Sequence, residues 1–344
     1  MVAVSSVDEC EIQSADIDRH LGGFQSLLVA HVRPQLSRTF SNPLQLQETP
    51  RLSRGRCAAF WNFAWADCVA AYTNHSKTRL NTEDYVLWRA AGLQLTDSGS
   101  LYSSQLDLTS KLGDREWLTE EVVLRTVLWI SLRTMNYIAY DSEKPLENET
   151  LGSSFLGASM LTPSTTASSP SAQHSQWDEL HQQLDIWHQN LPETCQPCTK
   201  VKHHDLSDSP AASGKPLMVM FFSIPTCAAA LVLYHFTRIL LLLNKPVAAQ
   251  RGSKGLGDRL KEYRKVSEHV NHHSREICGI AVGLPEPAVR IQIVQPLYLA
   301  GLCLEEKEDR KLVLELLQAI ETDTGCCTTH RVRELVSQWG WDNG

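Results

Sequence analysis

The most apolar stretch of the chain lies at residues 217–243, which read LMVMFFSIPTCAAALVLYHFTRILLLL. Within it, the Ser223 hydroxyl can cap the first turn of a helix, and Pro225 suits a first turn because it has no N–H to leave unsatisfied. Apolar side chains then occupy most positions up to Leu243. A helix that is apolar around its whole circumference must be buried. We therefore predict a central buried helix at about residues 224–243.

A bilayer is the other environment that could cover such a helix. The run from Leu217 to Tyr234 has no charged side chain and reaches the lower length limit of a spanning segment. Pro225 divides this run, however, and His235 and Arg238 would lie in hydrocarbon. The pattern favours the core helix of a soluble protein, with a membrane-associated helical protein as an alternative.

Apolar residues at helical spacing recur along most of the remaining chain. Asn81-Thr82-Glu83-Asp84 can cap a short helix that stops at Gly92, and Ser175 to Asp178 resembles a capping box. The sequence contains no strand alternation of useful length and no repeat period. We predict an all-α fold around the central helix, with further helices at 56–72, 114–140, 175–191, 259–282, 287–304 (interrupted by Pro296), 307–322 and 331–339.

Polar segments divide these predicted helices. Residues 1–20 are predicted to be a disordered acidic tail, and residues 21–344 are assigned to one helical domain. Residues 151–175 are rich in Ser and Thr and contain two prolines, which predicts a flexible loop and a candidate insertion or modification site. Residues 193–216 are predicted to form a second loop.

Composition narrows the classes of function. The chain has 344 residues, of which 42% are hydrophobic and 21% charged, and this is ordinary for a globular protein. Its net charge of −7 offers no broad basic face to a nucleic acid backbone. Ten scattered cysteines suit a reducing compartment, and the N-terminal residues contain no apolar targeting run. We therefore expect the cytosol or the nucleus.

Cys195-Gln-Pro-Cys198 followed by His203-His204 is the one metal-like grouping in the sequence. Adjacent histidines are a poor second half for a tetrahedral zinc site, so we do not assign a metal here. Motifs of hydrolases, metalloproteases and nucleotide-binding loops are absent from the sequence. We predict no enzyme, and we assign no catalytic, cofactor-binding, metal or DNA-binding residue.

Tryptophans on the predicted helices could line an apolar pocket for a small-molecule effector. At helical spacing such residues more often fill the core, and both interpretations are kept. The residues concerned are Trp61, Trp65, Trp88, Trp117, Trp129, Trp177 and Trp187.

The order of these segments resembles the regulatory region, or middle homology domain, of fungal zinc-cluster transcription factors of the ARCA-like group. The resemblance is carried by residues 58–93 (AAFWNFAWADCVAAYTNHSKTRLNTEDYVLWRAAGL), 177–193 (WDELHQQLDIWHQNLPE), 234–246, 274–280, 295–304 and 334–341. It implies an all-α domain without a catalytic role, which modulates transcription in the nucleus through effectors or protein partners. It also implies a possible role in controlling a specialised-metabolite gene cluster.

The chain departs from that family in one respect. The family reads DNA with an N-terminal Zn₂Cys₆ cluster, whereas Cys10 stands alone before the helical region here. We expect the first part of the regulatory region to be missing as well, so direct DNA binding and zinc are not expected of this chain. A truncated or degenerate remnant without independent function is therefore a further alternative.

Overall fold

The computed structural model describes residues 22–23, 51–93, 95–96, 99, 101, 119–142, 170–203, 216–246 and 255–341. In these ranges the chain is mostly helical, which confirms the predicted all-α class. The helices are α1 (Arg54–Thr73), α2 (Tyr85–Ala90), α3 (Thr119–Ser142), α4 (Pro170–Gln189), α5 (Pro225–Leu243), α6 (Leu256–Val282), α7 (Pro287–Cys303), α8 (Lys307–Thr324) and α9 (Thr329–Gln338). Two short strands, β1 (Thr199–Lys202) and β2 (Met218–Phe221), lie between α4 and α5.

The central helix is α5, as the apolar pattern predicts. Every residue from Cys227 to Leu242 is buried, and α3, α4, α6 and α7 pack around it. By length and composition α5 could cross a membrane, but 83% of its apolar window is buried inside this domain. Its apolar character is thus accounted for by packing against neighbouring helices.

The start of α5 differs from the prediction in one detail. The N-cap residue is Ile224, and no side chain caps the helix, so the cap proposed at Ser223 is wrong. Pro225 occupies the first turn as predicted, where its missing N–H leaves no donor unsatisfied.

A small antiparallel hairpin replaces part of the loop predicted at 193–216. A 3-10 turn at Glu193–Cys195 leads into β1, and β1 pairs with β2 from Thr199↔Phe221 to Lys202↔Met218. The sequence pattern did not reveal this hairpin, because a four-residue strand that is mostly exposed has no apolar alternation to detect. Residues 204–215 lie outside the described ranges.

Strand β2 lies directly on α6. A Cβ atom at Gly279 or Gly283 would clash with the backbone carbonyls of Met218 or Met220. Glycine is needed at both positions because the strand backbone approaches the helix this closely.

Other helix boundaries also differ from the predicted ones. Helix α4 begins at Pro170, so residues 170–175 are helical and Ser175 is not a cap. Helix α7 runs continuously through Pro296, and α6 begins at Leu256, ahead of the predicted start at residue 259. The predicted tail at 1–20, loop residues 151–169 and helix residues 114–118 lie outside the described ranges.

Candidate functional site

The loop between α1 and α2, residues 77–83, is bound through its backbone to a buried carboxylate. Asp67 on α1 is fully buried, and its Oδ1 and Oδ2 accept hydrogen bonds from the backbone N–H groups of Arg79 (3.0 Å) and Leu80 (2.9 Å). Burial raises the pKa of Asp67, and these two N–H donors and the Arg79 guanidinium oppose that rise. The carboxylate therefore fixes the turn of the loop.

Helix α3 holds the same loop from the side. The Asn136 Oδ1 accepts the backbone N–H of Thr78 (2.8 Å) and lies 3.0 Å from the Thr78 hydroxyl, and its Nδ2 donates to Thr82 Oγ1 (3.3 Å). Two buried indoles complete the set: Trp88 Nε1 donates to the Asn81 carbonyl (3.0 Å) and Trp129 Nε1 to the Thr82 carbonyl (3.3 Å).

Side chains from three helices thus fix five consecutive loop residues, 78–82. Buried hydrogen-bond networks of this kind impose one backbone geometry because each lost partner leaves a costly buried polar group. The loop is therefore preorganised.

The loop borders a surface cleft of about 400 Å³, whose other walls are Arg133 and Asn136 from α3 and Gln176 from α4. This volume falls in the range of small-molecule sites, although such sites are usually more apolar. Lys77, Arg79 and Arg133 contribute positive charges and Glu83 one negative charge. Arg79 is paired with Asp67 and Arg133 with Glu179, so the cleft is suited to a polar ligand.

Arg133 is the most firmly held of these cations. Its guanidinium lies over the Trp129 ring, 4.9 Å from the centroid, and donates to Gln183 Oε1 (2.9 Å) and Glu179 Oε1 (3.0 Å). Glu83 Oε1 lies 3.8 Å from Arg133 Nε. Arg133 therefore joins α3, α4 and the loop at the back of the cleft.

No tryptophan of the described ranges lines the cleft, so the cleft is not the tryptophan pocket considered from the sequence. Trp61, Trp88, Trp129, Trp177 and Trp187 are buried in the core. A cavity beside Trp65, between α1, α5 and α7, has a volume of only about 20 Å³, which is room for about one water molecule. The core interpretation holds for these five buried tryptophans, whereas Trp65 is half-buried and Trp117 lies outside the described ranges.

A second polar cluster joins α4, α5 and α6 at the edge of the core. Arg238 on α5 is ion-paired with Asp185 on α4 and lies over the Tyr234 ring. His235 Nδ1 lies 2.8 Å from His273 Nδ1 on α6, and burial lowers the pKa of both rings, that of His273 to about 3. Each polar group has a partner, so the cluster orients helices in the core.

The metal-like grouping of the sequence does not converge. Cys195 is buried and its Sγ contacts Cys227 Sγ at 3.1 Å, whereas the exposed Cys198 donates to the Phe221 carbonyl at 3.1 Å. Among the described residues, no group of three or more metal-ligating side chains comes together. His204 lies outside the described ranges, and the absence of a cofactor remains a prediction.

Sequence reasoning missed the cleft as a site. Asp67 was visible on the apolar stripe of the 56–72 helix, and a carboxylate there signals a buried partner. The identity of that partner was not visible, nor was Asn136, which is 58 residues from Thr78 along the chain.

A helical domain with a large apolar core and a preorganised polar cleft is suited to recognition of a ligand or a partner. The chain belongs to the family of fungal specific transcription factor domains, whose family model matches residues 1–339. This confirms the resemblance seen in the sequence and places the chain among transcription factors, not enzymes.

A curated relative is the transcription activator AMTR1 of Alternaria alternata, which is 32% identical over 328 residues. The match covers 94% of this chain and 41% of the relative, so the chain spans about two fifths of that protein's length. No solved structure gives a significant match.

Proposed function

We propose that the chain regulates transcription in the nucleus as the regulatory domain of a fungal zinc-cluster-type factor. The observation that carries this proposal is family membership over residues 1–339. The relationship to a transcription activator over 94% of the chain supports it. The domain acts through protein contacts and leaves DNA contact to another polypeptide segment or partner, because its net charge of −7 opposes a phosphate backbone.

The first experiment fuses the chain to a heterologous DNA-binding domain upstream of a reporter gene in a fungal host. Reporter expression should change relative to the DNA-binding domain alone. A double substitution, Asp67→Ala with Asn136→Ala, should abolish the change because it removes the side chains that fix the loop. Unchanged reporter expression with the intact fusion present in the nucleus would overturn the proposal.

Within this general role, we propose that the protein controls a specialised-metabolite gene cluster. Deletion of the gene should lower or raise transcripts of a co-located set of biosynthetic genes. A fluorescently tagged copy should be found in the nucleus. Unchanged transcripts on deletion would favour the alternative of a degenerate remnant, and a copy confined to membranes would favour the membrane alternative.

The cleft supports a second, related function as the binding site of a small anionic effector. A fixed loop and three cations line a volume of about 400 Å³, and two of the cations, Arg79 and Arg133, are held in place by carboxylates. A ligand with an anionic group would therefore meet positioned donors and require little reorganisation. Citrate and succinate are suitable first probes in a thermal-shift titration at constant ionic strength.

The test compares matched charge removals. Lys77→Gln and Arg79→Gln should each weaken probe binding, whereas Lys200→Gln, which removes an exposed cation on β1, should leave binding unchanged. Equal weakening by all three variants would show nonspecific charge attraction and overturn the assignment of the cleft.

A further inference from the structure

Two cysteines from separate parts of the fold lie in direct contact at the start of the central helix. Cys195 ends the 3-10 turn that follows α4, and Cys227 lies in the first turn of α5. Their sulfur atoms are 3.1 Å apart, and both residues are fully buried. The residues are 32 positions apart along the chain, so this contact is a product of the tertiary fold.

The contact makes the two thiols chemically different. The Cys227 thiol donates its proton toward Cys195, which lowers the pKa of Cys195 and raises that of Cys227. The N-terminal end of α5 also favours negative charge nearby, although Glu120 on α3 opposes it. Cys195 is therefore the sulfur of the pair that is prepared to act as a nucleophile.

Other buried cysteines show a contrasting environment. Burial raises the pKa of Cys68 and of Cys278, the latter to about 12. Buried thiols of this kind are inert and serve as small apolar side chains. The pair at Cys195 and Cys227 differs from these residues because its two sulfur atoms contact each other directly, at 3.1 Å.

An exposed thiol lies next to the pair. Cys198 is three residues after Cys195 and is open to solvent, where it donates to the Phe221 carbonyl of β2. A dissolved oxidant can reach the Cys198 thiol but cannot reach the buried pair. Cys195 and Cys198 have the C-x-x-C spacing at which two cysteines can form a disulfide, and Cys195 in turn contacts Cys227.

We propose that Cys195, Cys198 and Cys227 form a modification site for hydrogen peroxide, at which oxidation of the exposed Cys198 leads to a disulfide between Cys195 and Cys227. This goes beyond the transcriptional role because it concerns a covalent state of the domain. The disulfide joins the turn after α4, and the hairpin that follows it, to the central helix.

The chemistry proceeds in three balanced steps. Cys198 attacks one oxygen of the peroxide, the O–O bond breaks, and the thiol proton passes to the departing oxygen, so that Cys198 sulfenic acid and one water form. Cys195 then attacks the Cys198 sulfur, and its thiol proton leaves with the hydroxyl group as a second water, which gives a disulfide between those two residues. Cys227 then attacks the Cys195 sulfur, its proton passes to the leaving Cys198 thiolate, and the disulfide between Cys195 and Cys227 forms. One peroxide is consumed, two thiols are oxidised and two waters are released.

The test uses the full chain, reduced, freed of reductant and treated with hydrogen peroxide. Blocking of remaining thiols, followed by nonreducing peptide mapping, should recover a disulfide-linked peptide pair that contains Cys195 and Cys227. The thermal unfolding midpoint of the oxidised chain should rise by about 5 °C, because the crosslink restrains the unfolded chain. Reduction should reverse both changes.

Variants separate the roles of the three cysteines. Cys198→Ser should slow formation of the disulfide about tenfold, because the exposed entry thiol is lost. Cys227→Ala should stop the reaction at the disulfide between Cys195 and Cys198. Cys278→Ser, at a buried cysteine outside the site, should change neither product.

Two results would overturn the proposal. One is oxidation of Cys198 alone to sulfinic or sulfonic acid with Cys195 and Cys227 still free. The other is a disulfide that joins any other pair in the native chain. If Cys227→Ala fails to fold, as judged by circular dichroism, the native chain and the exposed Cys198→Ser variant still decide between these outcomes.

Discussion

The loop at residues 77–83 and the central helix α5 both pack against α3, but different forces hold them. The loop is fixed by side-chain hydrogen bonds from Asp67, Asn136 and two indoles. Helix α5 is fixed by burial of nearly all its side chains. Apolar burial gives most of the stability of a domain, whereas buried hydrogen bonds specify one geometry. The domain therefore combines a stable core with a surface feature whose shape is defined separately.

The largest expected loss of stability follows from shortening a buried side chain on the central helix. Leu241 is fully buried on α5, and Leu241→Ala should lower the free energy of unfolding by about 3–4 kcal/mol, through lost burial and the cavity left behind. Leu243, two residues later on the same helix, is 53% exposed. Leu243→Ala should change stability by less than about 0.5 kcal/mol. Denaturant unfolding measures both, and equal effects would contradict the position of α5 in the core.

The second test addresses the loop. Asp67→Ala leaves the backbone N–H groups of Arg79 and Leu80 without their acceptor, which should cost about 2–3 kcal/mol of stability. Hydrogen exchange at these two amides should speed up more than at amides of α5, because the loop would loosen locally.

Two further variants control this test. Asp67→Asn retains one acceptor oxygen and should lose less stability than Asp67→Ala. Asp178→Ala, at an exposed carboxylate on α4, should have almost no effect. If Asp67→Ala left the exchange of Arg79 and Leu80 unchanged, the carboxylate would not be what fixes the loop.

The third test measures how the stability of the domain depends on pH, through the histidine pair His235 and His273 between α5 and α6. Burial lowers the pKa of His273 from 6.5 to about 3, so between these values the unfolded chain binds more protons than the folded one. The neutral His273 ring does not reduce the free energy of unfolding above pH 6.5. As the pH falls from 6.5 toward 3, protonation of the unfolded chain lowers that free energy progressively. At pH 5 the loss from His273 should be about 2 kcal/mol relative to pH 7.

Adjacent histidines provide the control for the pH test. His273→Gln should reduce the fall in stability between pH 7 and pH 5, because the group that titrates only in the unfolded chain is gone. His272→Gln changes an exposed neighbour on the same helix and should leave the pH dependence intact. Identical profiles for native protein and His273→Gln would exclude a buried, neutral His273.

The comparison of the two regions also explains what could be predicted from the sequence. Helix α5 was predictable because its signal is local: a long and mostly apolar run with Pro225 at the start. The start of α4 was missed because Pro170 was taken as a loop residue, although proline also suits a first helical turn.

The loop and its cleft depend on contacts that no local pattern encodes. Asp67 lies 12 residues from Arg79, and Asn136 lies 58 residues from Thr78. The contact between Cys195 and Cys227 is hidden in the same way, since the sequence brought Cys195 to attention only through its spacing to Cys198. Long-range side-chain contacts need the fold before they can be located.

The smallest expected effect compares two helix starts, one in each region. The Asp84 carboxylate caps α2 by accepting the backbone N–H of Leu87 at 3.3 Å, whereas the residues before α5 provide no side-chain cap. Asp84→Ala should therefore lower stability by about 1 kcal/mol, while Ser223→Ala should change it by less than about 0.5 kcal/mol. Asp84→Ser, which keeps a capping oxygen, should restore most of the loss. Equal losses for Asp84→Ala and Ser223→Ala in thermal unfolding would mean that α5 also relies on a cap, and the contrast between a helix held by burial and one held by local hydrogen bonds would fail.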